Sequence, residues 1–297
     1  NHELIATNSN EDLDFAVFNI SGNSAKADFS PTFYKDKLLF SSDRPDGSKR
    51  IYGPSGEAYI NIYESKIDIQ GNVTDPQPFK GIPDTKFHRA TPFYSQELNN
   101  IFYVLSNSDG ENLQFSDNGK NALSIGMTTG QGSFKFVLRD PDTSFYYPFY
   151  EAATGRLFFA ADFGDGYGGT DIYFVYTNDG VIMSAPTNLG PRINTPGNEI
   201  APFIFENSLY FSSDIFYGLG GMDIYKSTIH TDNSYSIPVN LGPGINSEKD
   251  DFGFIIKNND TNGLLGYFSS NRDGGKGGDD IYGFNVKEKP GLKTLAL

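Results

Sequence analysis

The stretch FSSNRDGGKGGDDIYGF, residues 268–284, decides the fold. It holds a short alternating apolar run, a loop dense in Asp and Gly, and a second run opening on Asp-Ile-Tyr. Its first half recurs as LLFSSD (38–43), IFYVLS (101–106), LFFAAD (157–162), LYFSSD (209–214) and GYFSSN (266–271). Its second half recurs as NIY (61–63) and as DIY at 171–173, 223–225 and 280–282, whereas the second unit carries ALSIG (122–126) there. Upstream of each first run lies another strand candidate: FSPTFY (29–34), ATPFY (90–94), YYPFY (146–150), IAPFIF (200–205) and DFGFII (251–256). A fourth element ends in an Asn-Leu-Gly turn, clearest in PTNLGPRINT (186–195) and PVNLGPGINS (238–247).

Four short strands per unit, repeated every 50 to 60 residues or so, describe the blade of a β-propeller. Five units predict an all-β, five-bladed propeller of four-stranded antiparallel blades. The segment FAVFNISGNSAKADFSP (15–31) aligns with PVNLGPGINSEKDDFGF (238–254), matching Asn19 to Asn240, Ser24 to Ser247 and Phe29 to Phe252. A strand at about 13–20 is therefore expected to complete the last blade and to close the ring, which removes an exposed sheet edge. Residues 1–285 read as a single propeller domain and 286–297 as a linker.

Composition agrees. Among 297 residues there are 26 Phe, 18 Tyr, 33 Gly and 16 Pro, a balance of pleat-filling aromatics and turn formers. There is no Cys, hence no disulfide and no thiolate metal site. A net charge of −14 argues against nucleic acid as a partner, and no apolar run is long enough to insert in a bilayer.

The combination of FSS[DN]R, GG-x-DIY and NLGP-x-IN resembles the WD40-like, TolB-type propeller repeats of bacterial envelope proteins, in particular those of OmpA-family periplasmic proteins of Bacteroidetes. The resemblance covers residues 13–285 or so. It implies a periplasmic, outer-membrane-associated, non-enzymatic scaffold for other envelope proteins within the type IX secretion machinery. Peptidoglycan would be reached only through a domain that this chain does not contain.

The Asp- and Gly-rich loops allow two readings. Asp162, Asp165 and Asp171 form the best set for a calcium ion, a hard cation that wants six to eight oxygens. The bland reading, which the sequence favours, is a structural hairpin with glycines at positive φ and no cofactor; the loop at 214–223 keeps its glycines with only Asp214 and Asp223 as carboxylates. At the starts of the first strands stand Asp28, Arg89, Phe145, Glu199 and Asp251, so four charged residues are expected near one channel mouth. They read either as a binding site or as solvated strand starts. The alternative function is a carbohydrate-binding or glycoside-hydrolase-like propeller that uses the mouth carboxylates, which would have to face each other across roughly 5 to 9.5 Å. The absence of Trp speaks against it, and His2, His88 and His230 fit no triad or zinc spacing. Loop aromatics Tyr167, Phe216 and Tyr217 are candidate protein-binding anchors.

Overall fold

A computed structural model describes residues 15–47, 50–129, 133–259 and 263–286. They form five antiparallel sheets set around an axis. Counted from the axis outward, the first blade comprises Asp28–Tyr34, Lys37–Ser42, Asn61–Lys66 and Gln77–Pro78. The second comprises Arg89–Ser95, Asn100–Ser106, Leu123–Thr129 and Phe134–Leu138. The third holds Phe145–Glu151, Arg156–Ala161, Asp171–Asn178 and Thr187–Asn188, with Val181–Ile182 as an added hairpin arm. The fourth holds Glu199–Phe205, Ser208–Ser213, Asp223–Thr228 and Val239–Asn240. In the fifth, Asp251–Asn258, Leu264–Ser270 and Asp280–Val286 are completed by Ala16–Asn19 from the start of the chain. Inner strands of successive blades pack side by side, and the fifth returns to the first. The expected closure is the observed one; of the linker expected at 286–297, Val286 ends the last strand and 287–297 lie outside the described residues.

Each letter of the repeat has a physical cause. The Phe of FSS faces the Tyr of DIY directly across the sheet: Phe40 with Tyr63, Phe159 with Tyr173, Phe211 with Tyr225 and Phe268 with Tyr282. These pairs lie buried between blades, where opposed aromatics contribute most to a sheet. The first Ser reaches the next blade, with Ser41 Oγ accepting the Thr91 N–H at 2.7 Å and Ser269 Oγ the Ser30 N–H at 2.9 Å.

Those two N–H groups belong to a bulge common to all five inner strands, whose register shifts at Phe29/Thr32, Ala90/Phe93, Tyr146/Phe149, Ile200/Phe203 and Phe252/Ile255. Ser30, Thr91, Tyr147, Ala201 and Gly253 there take φ of 53°, 45°, 51°, 54° and 67°. In four of the five a Pro follows, and its missing N–H costs nothing where the ladder is already broken. The bulges line the axis and leave a cavity of about 40 Å³, space for a few waters and none for a sugar ring.

The Asn-Leu-Gly segment clamps three of the blades shut. Asn194, Asn246 and Asn23 each exchange two hydrogen bonds with the backbone of the Ile in DIY, namely Ile172, Ile224 and Ile281. Asn23 makes this clamp between the two ends of the chain, at 2.7 and 3.0 Å. Replacing Asn23 by Ala would strand the buried Ile281 N–H and leave its C=O with only the Ile20 N–H, a cost of about 1 to 3 kcal/mol. The expected result is a thermal midpoint lowered by roughly 2 to 5 °C. Calorimetry that shows an unchanged midpoint would mean that the terminal strand does not hold the ring.

Candidate functional site

The mouth residues are sealed into the fold. Asp28, Glu199 and Asp251 are fully buried. Asp28 accepts the N–H and hydroxyl of Ser24, and Asp251 accepts those of Ser247, so each inner strand is tied to the clamp before it. Each also meets an arginine: Arg44 at 2.5 Å from Asp28 and Arg272 at 2.6 Å from Asp251. Arg44 lies over the rings of Phe40 and Tyr63, and Arg272 over those of Phe268 and Tyr282, so the R of FSS[DN]R caps the aromatic pair below it.

The third blade replaces this ion pair with two rings. Phe145 stands where the carboxylate would be and Phe163 where the arginine would be, 6.0 Å apart. The fourth blade is mixed. Glu199 is kept, Ile215 occupies the arginine position, and Phe216 covers Phe211 and Tyr225. Glu199 takes hydrogen bonds from the Thr195 N–H and hydroxyl and the Ser213 hydroxyl at 2.6 to 2.7 Å. Among the described residues no cation pairs with it. Burial therefore pushes its carboxyl up to about 7, against the pull of those hydroxyls.

The loop carboxylates do not assemble a metal site. Asp171 is buried and accepts from the Tyr167 N–H and the Asn188 side chain, while Asp162 and Asp165 are exposed, with Asp162 closing a turn onto the Gly164 N–H. Among the described residues no group of three or more His, Cys, Asp or Glu side chains could hold an ion. Positive φ is met at Gly164 and Gly274 but not at the paired glycines, whose cause is a close approach. A Cβ on Gly168, Gly220 or Gly277 would fall 2.3, 2.1 or 1.8 Å from a backbone oxygen of the next blade, so only Gly admits that approach. Of the loop aromatics, Tyr167 and Tyr217 are exposed and Phe216 is packed inward. His88 accepts the Ile60 N–H between the rings of Tyr52 and Tyr59, His230 closes a surface turn, and His2 lies outside the described residues.

Arg89 alone of the mouth residues lines an opening. The second blade lacks the DIY tyrosine: Tyr103 faces Gly126, and the ring of Phe134 from the outer strand occupies the space a side chain there would need. Without the Gly-Gly loop, a groove of about 380 Å³ opens between Pro83–Thr85, Ser108–Gly110, Phe134, Phe136 and Arg139. Phe134 and Phe136 meet edge to face at 5.0 Å, and the Arg139 guanidinium lies 4.2 Å over Phe136. Asp109 accepts the N–H groups of Glu111 and Asn112 and the Gln114 amide, which hold its carboxyl below the usual range. Phe134, Phe136, Asp109 and Arg139 went unread as a site in the sequence, although FKF (134–136) in the outer-strand position was a visible departure. Wider depressions of about 710 and 580 Å³ flank the third blade, but the Arg156 that borders the latter is committed to Glu151 at 2.7 Å and to two phenyl rings.

No family model matches the chain, and no curated protein sequence does. Solved structures match its fold. An endo-arabinase from Bacteroides thetaiotaomicron superposes with a TM-score of 0.56 at 14% identity, over 92% of this chain and 98% of that one. An α-L-arabinofuranosidase from Podospora anserina gives 0.57 at 9%, over 92% and 96%. An exo-β-1,3-galactanase from Clostridium thermocellum gives 0.52 at 14%, over 90% and 61%. At such identities the likeness establishes the five-bladed fold.

These findings correct the envelope reading. Structural neighbours that are glycosidases by name, with no family match, overturn both the TolB-type, OmpA-family resemblance and the non-enzymatic secretion scaffold drawn from it. The physical reason lies in the motifs themselves. FSS, GG-x-DIY and NLGP-x-IN encode blade packing and inter-blade hydrogen bonds, so they mark how a blade is built and carry no information on what it binds.

Glu199 yields a test. Its carboxyl rises from 4.5 when unfolded to about 7 when folded, so the protonated form stabilises the fold fully below about pH 4.5. That contribution, about 3 kcal/mol, is lost as pH rises through 7. Asp279, pushed up to about 6 by burial and then by Asp250, Asp43 and Asp280, acts in the same sense. The difference between wild type and Glu199→Gln isolates Glu199: the variant should match wild type near pH 5 and melt several degrees higher at pH 8. Parallel melting curves across this range would refute the assignment.

Proposed function

We propose that the protein is a carbohydrate-active five-bladed propeller that takes its saccharide in the groove of the second blade. The observation that carries this reading is the groove's composition. Two phenyl rings offer apolar faces for the C–H side of a sugar, while Asp84, Asp109 and Arg139 offer acceptors and donors for its hydroxyls. The volume lies within the range of small-molecule sites. That the fold is shared with an arabinase, a galactanase and an arabinofuranosidase supports the class of ligand.

The chemistry assigns roles. Asp109, whose anion is held by two backbone N–H groups, stays ionised at neutral pH and suits a base or a stabiliser of positive charge developing on a sugar ring. Asp84 shares the groove and completes the two-carboxylate complement that glycoside cleavage uses. Glu199, with its raised pKa, lies sealed beneath the mouth and does not border the groove.

A glycan array followed by calorimetry on the hits, with a parallel assay for reducing-sugar release, tests the proposal. Phe136→Ala should weaken binding at least tenfold with little change in melting, because the ring is half-buried at the surface. Asp109→Asn should abolish any release of sugar while retaining binding within severalfold. A protein that binds no glycan and releases no sugar would end this reading.

A further inference from the structure

Arg89 and Arg139 extend that reading to the charge of the ligand. Arg89 occupies the strand-start position that holds Asp28, Glu199 and Asp251 in three other blades, a reversal of sign in a chain of net charge −14. Its side chain is 6% exposed. One terminal nitrogen donates to the Pro83 carbonyl at 2.6 Å and the other to Asp84 at a long 3.3 Å, while its Nε–H has no acceptor in the protein. A buried guanidinium with a vacant donor is costly unless something completes its shell, and here the residue borders a cavity. Arg139 is fixed across the same groove: Nε donates to the Asn107 side chain at 2.7 Å and a terminal nitrogen to the Ser108 carbonyl at 3.2 Å. Among the described residues no carboxylate lies within ion-pair distance of Arg139. Asp109, the nearer groove carboxylate in sequence to that turn, already has three donors of its own.

We infer that the groove selects an anionic saccharide, one whose carboxylate or sulfate group is taken between Arg89 and Arg139 while its ring lies against Phe136. Planar guanidinium donors suit such oxyanions, and a stacked arginine is already ordered for the contact. This inference rests on the groove being a saccharide site.

The test compares three short oligosaccharides of matched length by calorimetry: an oligogalacturonate, a sulfated galactan and a neutral galactan. The expected result is binding of at least one anionic oligomer ten times or more tighter than the neutral one, with the preference shrinking as salt is raised. The two anionic arms identify whether carboxylate or sulfate is read. Arg139→Gln should erase the preference, weakening anionic binding tenfold or more and neutral binding only severalfold; Arg89→Lys, which keeps the charge but removes the Nε–H, should reduce the preference. Equal affinity for charged and neutral oligomers, or an Arg139→Gln variant that weakens both alike, overturns the anionic inference while the saccharide reading stands. Failure of all three to bind at millimolar concentration overturns the inference together with the reading beneath it.

Discussion

The fold depends on the aspartate that opens the third strand of a blade. Asp171, Asp223 and Asp280 are buried, and each accepts hydrogen bonds from loop N–H groups and from the outer-strand Asn, here Asn188, Asn240 and Asn19. The same Asn orients the clamp residue two turns of loop later, so one carboxylate organises the hairpin before it and the strand after it. For Asp223, desolvation outweighs these bonds and raises the carboxyl above its usual range, a sign of how deep the hub lies. Charge-assisted bonds of this kind are stronger than neutral ones.

Most of the architecture was legible because each repeated residue satisfies a constraint that recurs in two to four of the five blades. Phe40 needs Tyr63 opposite, Asp28 needs Ser24 and Arg44, and Gly277 must leave room for the Lys26 carbonyl. A contact that recurs at a fixed spacing leaves a periodic trace in the chain. The groove leaves none. It arises because Gly126 replaces a tyrosine and Phe134 fills the gap from another strand, a compensation between residues eight positions apart at a place where the other blades keep their tyrosine. The sequence showed the missing DIY loop but not the space that its loss creates. It also placed four charges at the mouth without showing that three of them face inward to hydrogen-bond partners.

The mouth substitutions show how a blade tolerates change. Burying an ion pair is neutral only when both members are present, and removing one leaves an uncompensated charge. The third blade has exchanged both members for Phe145 and Phe163, and its stack of rings is complete. The fourth blade has exchanged one. Its Glu199 is left with hydroxyl donors, which lower the cost of the charge without removing it, and this makes the fourth blade sensitive to protonation at its mouth.

Sealing the mouth has a consequence for where a ligand can sit. With the axis closed by five bulges, and with the strand-start carboxylates bonded inward, the central channel has neither the volume nor the free oxygens for a sugar. The second blade departs in three ways. Its strand-start residue is a cation, its loop (107–122) is longer than those of the third, fourth and fifth blades and lacks the paired glycines, and Tyr103 meets the outer-strand Phe134 where other blades set a third-strand tyrosine. The third-strand tyrosine that four blades keep and one drops points to the place where stability was not the only constraint. In this propeller that place is the groove beside Arg89, set off the axis and open along the flank of a single blade.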